Sequence, residues 1–185
     1  MSHPSAIRQP VEPTIVTGGE RRLAFEHWLL ASAKDMSQAR EEWRTYGVAL
    51  LRLGVRLAAI RISAHLVHAG AGTDDPDAVS AYLERVLLGG PVFVDREVQR
   101  YFALVPPSTG RRREWQLARD DAEFIGPGHY LGVPSVDATS PQDGRSFWSV
   151  EFESAGALAS PGAVKALVDH CRLRAAQQAS AQGGS

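Results

Sequence analysis

The sequence predicts a single α/β or α+β domain, a mostly antiparallel sheet with flanking helices. The chain has 185 residues, which suits one domain of ordinary size and is short for two. Its composition, 44% hydrophobic and 22% charged, is typical of a globular protein. Segments with helical spacing of apolar residues interleave with strand-like runs. We expect the domain to cover 20–174, with flexible tails at 1–19 and 175–185.

The first elements should be helical. Thr17 and Glu20 match a capping box, in which each side chain bonds the other residue's backbone N–H. Apolar residues over 25–46 then recur every three or four positions, and Asp35 divides this stretch into two helices. Two strand-like runs follow, at 48–53 and 57–62.

The next helix has clear signals at both ends. Asp75 suits its N-cap, Pro76 its first turn, and Gly89 its end. Further strands are predicted at 91–94, 101–105, 123–125 and 130–133, the first two as a hairpin. Apolar and polar residues alternate over 147–152, which predicts a half-buried strand in the same sheet as the hairpin. A last helix should begin at Ser160.

Composition and charge exclude several classes of protein. The net charge of −1 argues against a general attraction to nucleic acid or acidic membranes. Cys171 is the only cysteine, so no intramolecular disulfide forms. With no long apolar run and no signal-peptide pattern at 1–19, we expect a cytoplasmic protein without membrane contact. Lys34 and Lys165 are the only lysines among 20 basic residues, a bias typical of GC-rich, for example actinobacterial, genomes.

Most clusters of reactive side chains have a structural interpretation. His65 and His68 are too few for a good metal site, and the acids at 74–77 suit a helix N-terminus. Cys171 lies on the apolar side of the last helix, where a small buried hydrophobic residue explains it better than a nucleophile, because no partner base is evident. No nucleophile elbow and no phosphate-binding glycine motif occurs. We therefore expect no metal, no cofactor and no catalytic residue.

One dense basic run is a candidate for phosphate or nucleic-acid binding. Arg111, Arg112 and Arg113 are followed by Trp115, and guanidinium groups beside an aromatic ring suit a phosphate or a stacked base. The alternative is a solvated loop.

Two segments resemble primase-polymerase domains. The segment 123–135 reads EFIGPGHYLGVPS and is followed by GRSFW at 144–148. An acid, a glycine turn, a Tyr, a Pro-Ser step and an aromatic pair recur in this order in that family. The segments 91–94 and 100–107 are similar to its preceding hairpin, so the resemblance covers about residues 22–170.

The resemblance implies the fold of this family, whose members catalyse nucleotidyl transfer with two metal ions. Such a site needs two carboxylates one residue apart at a strand end. Here the corresponding strand ends Arg61-Ile62-Ser63, and Gln99 and Arg100 stand near the place of the family's phosphate-binding His. Only Glu123 matches a family acid. The resemblance therefore implies a degenerate site without polymerase or primase activity.

Three functional hypotheses remain. The first is a non-catalytic, primase-polymerase-like binding or regulatory domain for a nucleotide, a nucleic-acid phosphate or a partner protein. The second is a purely protein–protein interaction protein, and the third an enzyme using Glu123 and His129 as an acid–base pair. Under the first hypothesis Arg61, Arg100, Glu123 and His129 should converge on one concave surface. The full set of ligand-binding candidates is Arg61, Arg100, Glu123, His129, Tyr130 and Ser135.

Overall fold

The fold is α+β, as the sequence predicts, and the described residues form two antiparallel sheets and five α-helices. The computed structural model describes residues 17–117 and 119–182. The helices are α1 (Gly18–Leu30), α2 (Met36–Tyr46), α3 (Ala64–Ala71), α4 (Pro76–Leu87) and α5 (Pro161–Gln182). The strands are β1 (Val48–Arg52), β2 (Ala58–Ser63), β3 (Val92–Asp95), β4 (Arg100–Val105), β5 (Ala122–Ile125), β6 (Tyr130–Pro134) and β7 (Ser146–Val150).

The main sheet has five strands in the order β5-β2-β4-β3-β7. The predicted hairpin is β3 and β4, and β7 joins the same sheet beside β3. The ring of Phe93 lies 4.9 Å from that of Phe102 and 5.4 Å from that of Trp148, so the hairpin and the last strand share one core. Strands β1 and β6 form a separate two-stranded sheet.

Both faces of the main sheet are covered. Helices α3, α4 and α5 pack on one face, while α1, α2 and the β1–β6 sheet pack on the other. The prediction of a half-buried strand at 147–152 is therefore wrong, because every residue of β7 is buried. The buried hydroxyl of Ser146 has a partner there, since it donates to the carbonyl of Val94, 3.0 Å away.

The helix ends follow the sequence signals closely. The capping box of Thr17 and Glu20 forms at α1, and a carboxylate oxygen of Asp35 accepts two backbone N–H groups at the start of α2. Asp75 caps α4, with Pro76 in its first turn. These caps satisfy donors that the helices themselves leave unpaired.

Some boundaries differ from the prediction. Helix α5 continues to Gln182, so the expected domain end at residue 174 lies inside a helix. Helix α1 begins at Gly18, inside the predicted tail at 1–19, and the rest of that tail, 1–16, lies outside the described residues. Helix α3 has no counterpart in the predicted elements.

Candidate functional site

Arg61 and Glu123 form an ion pair across two strands of the main sheet. They face each other in the register of β2 and β5, and Arg61 Nη2 lies 2.5 Å from Glu123 Oε2. Both side chains are partly buried. Two of the predicted binding residues are therefore in contact. Their contact occupies the Glu123 carboxylate, to which the resemblance gives a role in metal binding. A single acid bound to a guanidinium does not fit a two-metal site.

Arg100 lies on the same face of the sheet as Arg61. Arg100 is the first residue of β4 and faces Ser63 of β2, whereas Arg61 faces Phe102. Side chains two positions apart on a strand point to the same face, so both arginines lie on one side of the sheet. Its guanidinium donates to the carbonyl of Gln99, 3.1 Å away. Within residues 17–117 and 119–182 it forms no ion pair.

His129 belongs to the other sheet. It is exposed in the turn before β6, where its backbone N–H donates to Gly126 and its carbonyl accepts from Leu53. No hydrogen bond or ion pair of the described residues joins its ring to Glu123. The acid–base pair of the third hypothesis is therefore replaced by the contact between Glu123 and Arg61.

The arginine run occupies two short 3-10 turns, Pro107–Arg111 and Arg113–Trp115, and its side chains are exposed. Arg112 forms an ion pair with Glu114, with 2.9 Å between Nε and Oε1. The Trp115 ring was expected to stack a ligand beside the guanidinium groups. It is instead buried in the core on the α3–α5 side, where it anchors the loop. The prediction that this ring contacts a ligand is therefore wrong.

The histidines and the cysteine have structural surroundings. His68 Nε2 lies 3.3 Å from the hydroxyl of Tyr101, and Cys171 is fully buried 3.8 Å from the hydroxyl of Tyr82. Burial raises the pKa of the Cys171 thiol, which keeps it protonated and unreactive. Among the described residues, no group of three or more His, Cys, Asp and Glu side chains is arranged to hold a metal ion.

An exposed apolar surface with a groove lies on the outward side of the β1–β6 sheet. Val48, Leu50 and Arg52 of β1 alternate with buried neighbours and point away from the core. On β6 they face Pro134, Gly132 and Tyr130 respectively. Leu50 is 57% exposed and Tyr130 is 55% exposed, which is unusual for large apolar side chains on a sheet face.

Four cavities form a row over this surface, and each shares residues with the next. We call the row the outer groove. The first cavity, of about 390 Å³, is lined by Ala31, Ser32, Ala33, Lys34, Arg52, Val55, Arg56 and Tyr130. The second, of about 230 Å³, shares Lys34 and Tyr130 with it; the third, of about 460 Å³, shares Glu42 and Leu50 with the second. The fourth, also about 460 Å³, shares Tyr46, Val48 and Arg145 with the third.

Helix α2 forms one wall of the outer groove and is fixed to the sheet by hydrogen bonds. Glu42 Oε2 accepts from the backbone N–H of Leu50 at 3.0 Å, and the indole N–H of Trp43 donates to the carbonyl of Val133 at 2.9 Å. The Glu42 contact also occupies a donor on the free edge of β1, which blocks addition of a further strand there. The groove is thus a feature of the folded scaffold.

The turns at the first cavity are also held tightly. Gly54 has a positive φ of 102°, and a Cβ at that position would lie 2.6 Å from the Cα of Pro127. The turn between β1 and β2 therefore packs directly on the turn before β6. This close approach places Arg56 and Tyr130 on adjoining turns of the same cavity.

Sequence reasoning found only part of this site. Tyr130 and Ser135 were candidates, and they line the first and last cavities. Lys34, Leu50, Arg52 and Arg56 were missed, because the run at 48–51 is uniformly apolar and reads as a fully buried strand. Which of its side chains face outward depends on the pairing with β6.

Comparisons with family models, with curated proteins and with solved structures found no match for this chain. The similarity to primase-polymerase domains therefore stays a prediction from the sequence. None of the described helices has the length and apolar character needed to cross a membrane.

Proposed function

We propose that this chain is a non-catalytic binding domain, and that it binds a segment of a partner protein in the outer groove. The observation that carries the proposal is the row of exposed Tyr46, Leu50 and Tyr130 with half-buried Val48, which lines four cavities that share residues. Apolar side chains in a preformed groove are typical of peptide-binding surfaces.

The Arg61–Glu123 ion pair supports the non-catalytic part of the proposal. The resemblance places metal-binding acids where this pair lies, and the guanidinium group there repels a divalent cation. Removing either partner leaves the other charge partly buried without compensation, so the pair favours a structural role.

Co-purification followed by direct binding tests the proposal. Leu50→Ser removes an apolar contact in the groove, and Val98→Ser makes the same kind of change at a residue of similar exposure, 54%, outside the groove. We expect a protein that co-purifies with the wild type and with Val98→Ser to bind the purified wild type directly, and to bind Leu50→Ser about tenfold more weakly or worse. Equal behaviour of the two variants, or no protein that distinguishes them, contradicts the proposal.

A phosphate-bearing ligand such as a nucleotide is a second candidate function. It is favoured by Arg100, which has no acidic partner among the described residues and lies on the face of the sheet that carries Arg61. A charge-assisted hydrogen bond to a phosphate typically contributes about 1.5–3 kcal/mol.

Thermal-shift measurements with nucleoside triphosphates, with and without magnesium, test this second candidate. If it holds, we expect metal-independent stabilisation that Arg100→Ser removes and Arg21→Ser, at an exposed position of α1, retains. A nucleotide that leaves the melting temperature of the wild type unchanged rules the candidate out.

A further inference from the structure

The two ends of the outer groove carry opposite charge. Lys34, Arg52 and Arg56 line the first cavity, which has no acidic residue in its wall. These three cations form no ion pair within the described part of the chain. Their positive charge is therefore available to a ligand.

The far end of the groove carries one acid that has no cationic partner among the described residues. Asp137 and Asp143 line the fourth cavity together with Arg145. Asp137 forms an ion pair with Arg22 at 3.0 Å, so Asp143 is the acid left for a ligand. Arg145 already forms ion pairs with Glu97 and, at 3.8 Å, with Asp95, so its charge is compensated. Hydrogen bonds from Ser140 hold the pKa of Asp143 below its ordinary value, which keeps that carboxylate ionised at neutral pH.

The middle of the groove is largely apolar, and hydrogen bonds engage its two acids, Asp35 and Glu42. Leu50 lines the second and third cavities, Tyr46 lines the third, and Gly132 faces Leu50 without a side chain. One carboxylate oxygen of Asp35 accepts two backbone N–H groups at the start of α2. Both carboxylate oxygens of Glu42 accept hydrogen bonds, one from the Leu50 backbone and one, at 2.8 Å, from Gln38. An apolar side chain of a ligand fits here better than a charged one.

The shape of the groove suits an extended chain. Arg52, Leu50 and Val48 are successive outward residues of β1, so their side chains follow one another at about 6–7 Å along the strand. An extended peptide that lies along β1, in either chain direction, presents its own alternate side chains at the same spacing.

We propose that the outer groove binds an extended peptide segment with a charge at each end: acidic residues beside Lys34, Arg52 and Arg56, an apolar centre over Leu50, and basic residues beside Asp143. This inference rests on the proposed function, since it describes the partner segment that the groove accepts. It adds the order of charges along that segment.

Four labelled peptides of about nine residues test the proposal. All share a Leu-Ser-Val centre. The two mixed peptides have two Asp residues at one end and two Lys residues at the other, in opposite orders. The two uniform peptides are acidic at both ends or basic at both ends. We measure fluorescence anisotropy with the full chain at low salt, where exposed charges are least screened. At least one of the two mixed peptides should bind about fivefold more tightly than either uniform peptide.

Reversing the charge at the basic end of the groove should change which peptide binds best. Unfolding of the variant would weaken all binding and would not change this preference. In Arg52→Glu with Arg56→Glu both ends of the groove become acidic, so the preference should change to the peptide that is basic at both ends. The matched control is Arg111→Glu with Arg113→Glu, two exposed arginines away from the groove, which should keep the wild-type preference.

Other outcomes overturn the inference. Equal affinity for all four peptides, or a preference that the groove variant keeps, shows that the charges do not select the ligand. Inorganic triphosphate that binds at Arg52 and Arg56 more tightly than every peptide points to a small anion and also contradicts it. If a partner protein still depends on Leu50 in any of these cases, only the charge order is wrong, whereas loss of that dependence removes the proposed function itself.

Discussion

His68 illustrates how a single side chain couples this fold to pH. It lies on α3, half-buried against the hydroxyl of Tyr101 on β4. Burial lowers the pKa of His68 below its ordinary value of 6.5, an effect that nearby Asp74 opposes and His65 reinforces. The same burial raises the pKa of Tyr101 to about 12, so the pair is neutral in the folded state at physiological pH.

We predict that the free energy of unfolding decreases as the pH falls below about 6.5, because the unfolded chain then binds a proton at His68 more readily than the folded chain does. The contribution is fully present above pH 6.5 and declines toward the lower pKa of the folded state. Urea titrations at pH 7.5 and pH 5 measure it. In His68→Gln the loss of stability between these two pH values should be smaller, whereas His170→Gln, at an exposed position of α5, should behave like the wild type. A wild-type pH dependence in His68→Gln contradicts the assignment.

At the scale of the elements, the sequence was most informative where a local signal fixes a boundary. The capping box at Thr17, the Asp35 cap and the Asp75-Pro76 start were all predicted and formed, because each depends on contacts within a few residues. The β3–β4 hairpin was predicted for the same reason.

Helix α3 shows where local signals are insufficient. Its N-cap, Ser63, makes no side-chain capping bond, and Gly70 lies inside the helix, so propensity alone does not favour it. Packing explains it instead: a Cβ at Gly70 would lie 2.2 Å from Cys171 Sγ, which means that α3 and α5 approach closely at this glycine. Long-range contacts of this kind are not visible in a periodicity.

The candidate site was also only partly predictable from the sequence. Tyr130 and Ser135 were binding candidates because they belong to the segment that resembles the family. The register of β1 and β6 was needed to place Leu50 and Arg52 beside Tyr130. The pairing of Arg61 with Glu123 is likewise a property of register, since the two are 62 positions apart and become direct neighbours only when β5 adds to β2. Sequence spacing therefore identified the residues but not their contacts.

At the scale of the whole molecule, the two sheets differ in how much of their surface is buried. The five-stranded sheet is covered on both faces and carries the ion pair, whereas the small sheet uses one face for the core and leaves the other for the outer groove. A ligand in the groove therefore contacts a surface whose position is set by the core beneath it.

The Arg61–Glu123 ion pair predicts that the chain does not polymerise nucleotides. Two-metal transfer needs several carboxylates around the cations, and the acid to which the resemblance would give this role, Glu123, is bound to Arg61 at 2.5 Å. We expect no primer synthesis and no primer extension with magnesium or manganese, measured with labelled nucleotides on unprimed and primed templates respectively. Incorporation that Arg61→Ala abolishes or increases would belong to this chain and would contradict the prediction, whereas incorporation that Arg61→Ala leaves unchanged comes from a contaminant. The distinction is sharp because Arg61→Ala removes the cation that opposes metal binding: a trace of genuine two-metal activity should rise in this variant, so its loss would require the guanidinium itself to act on the nucleotide.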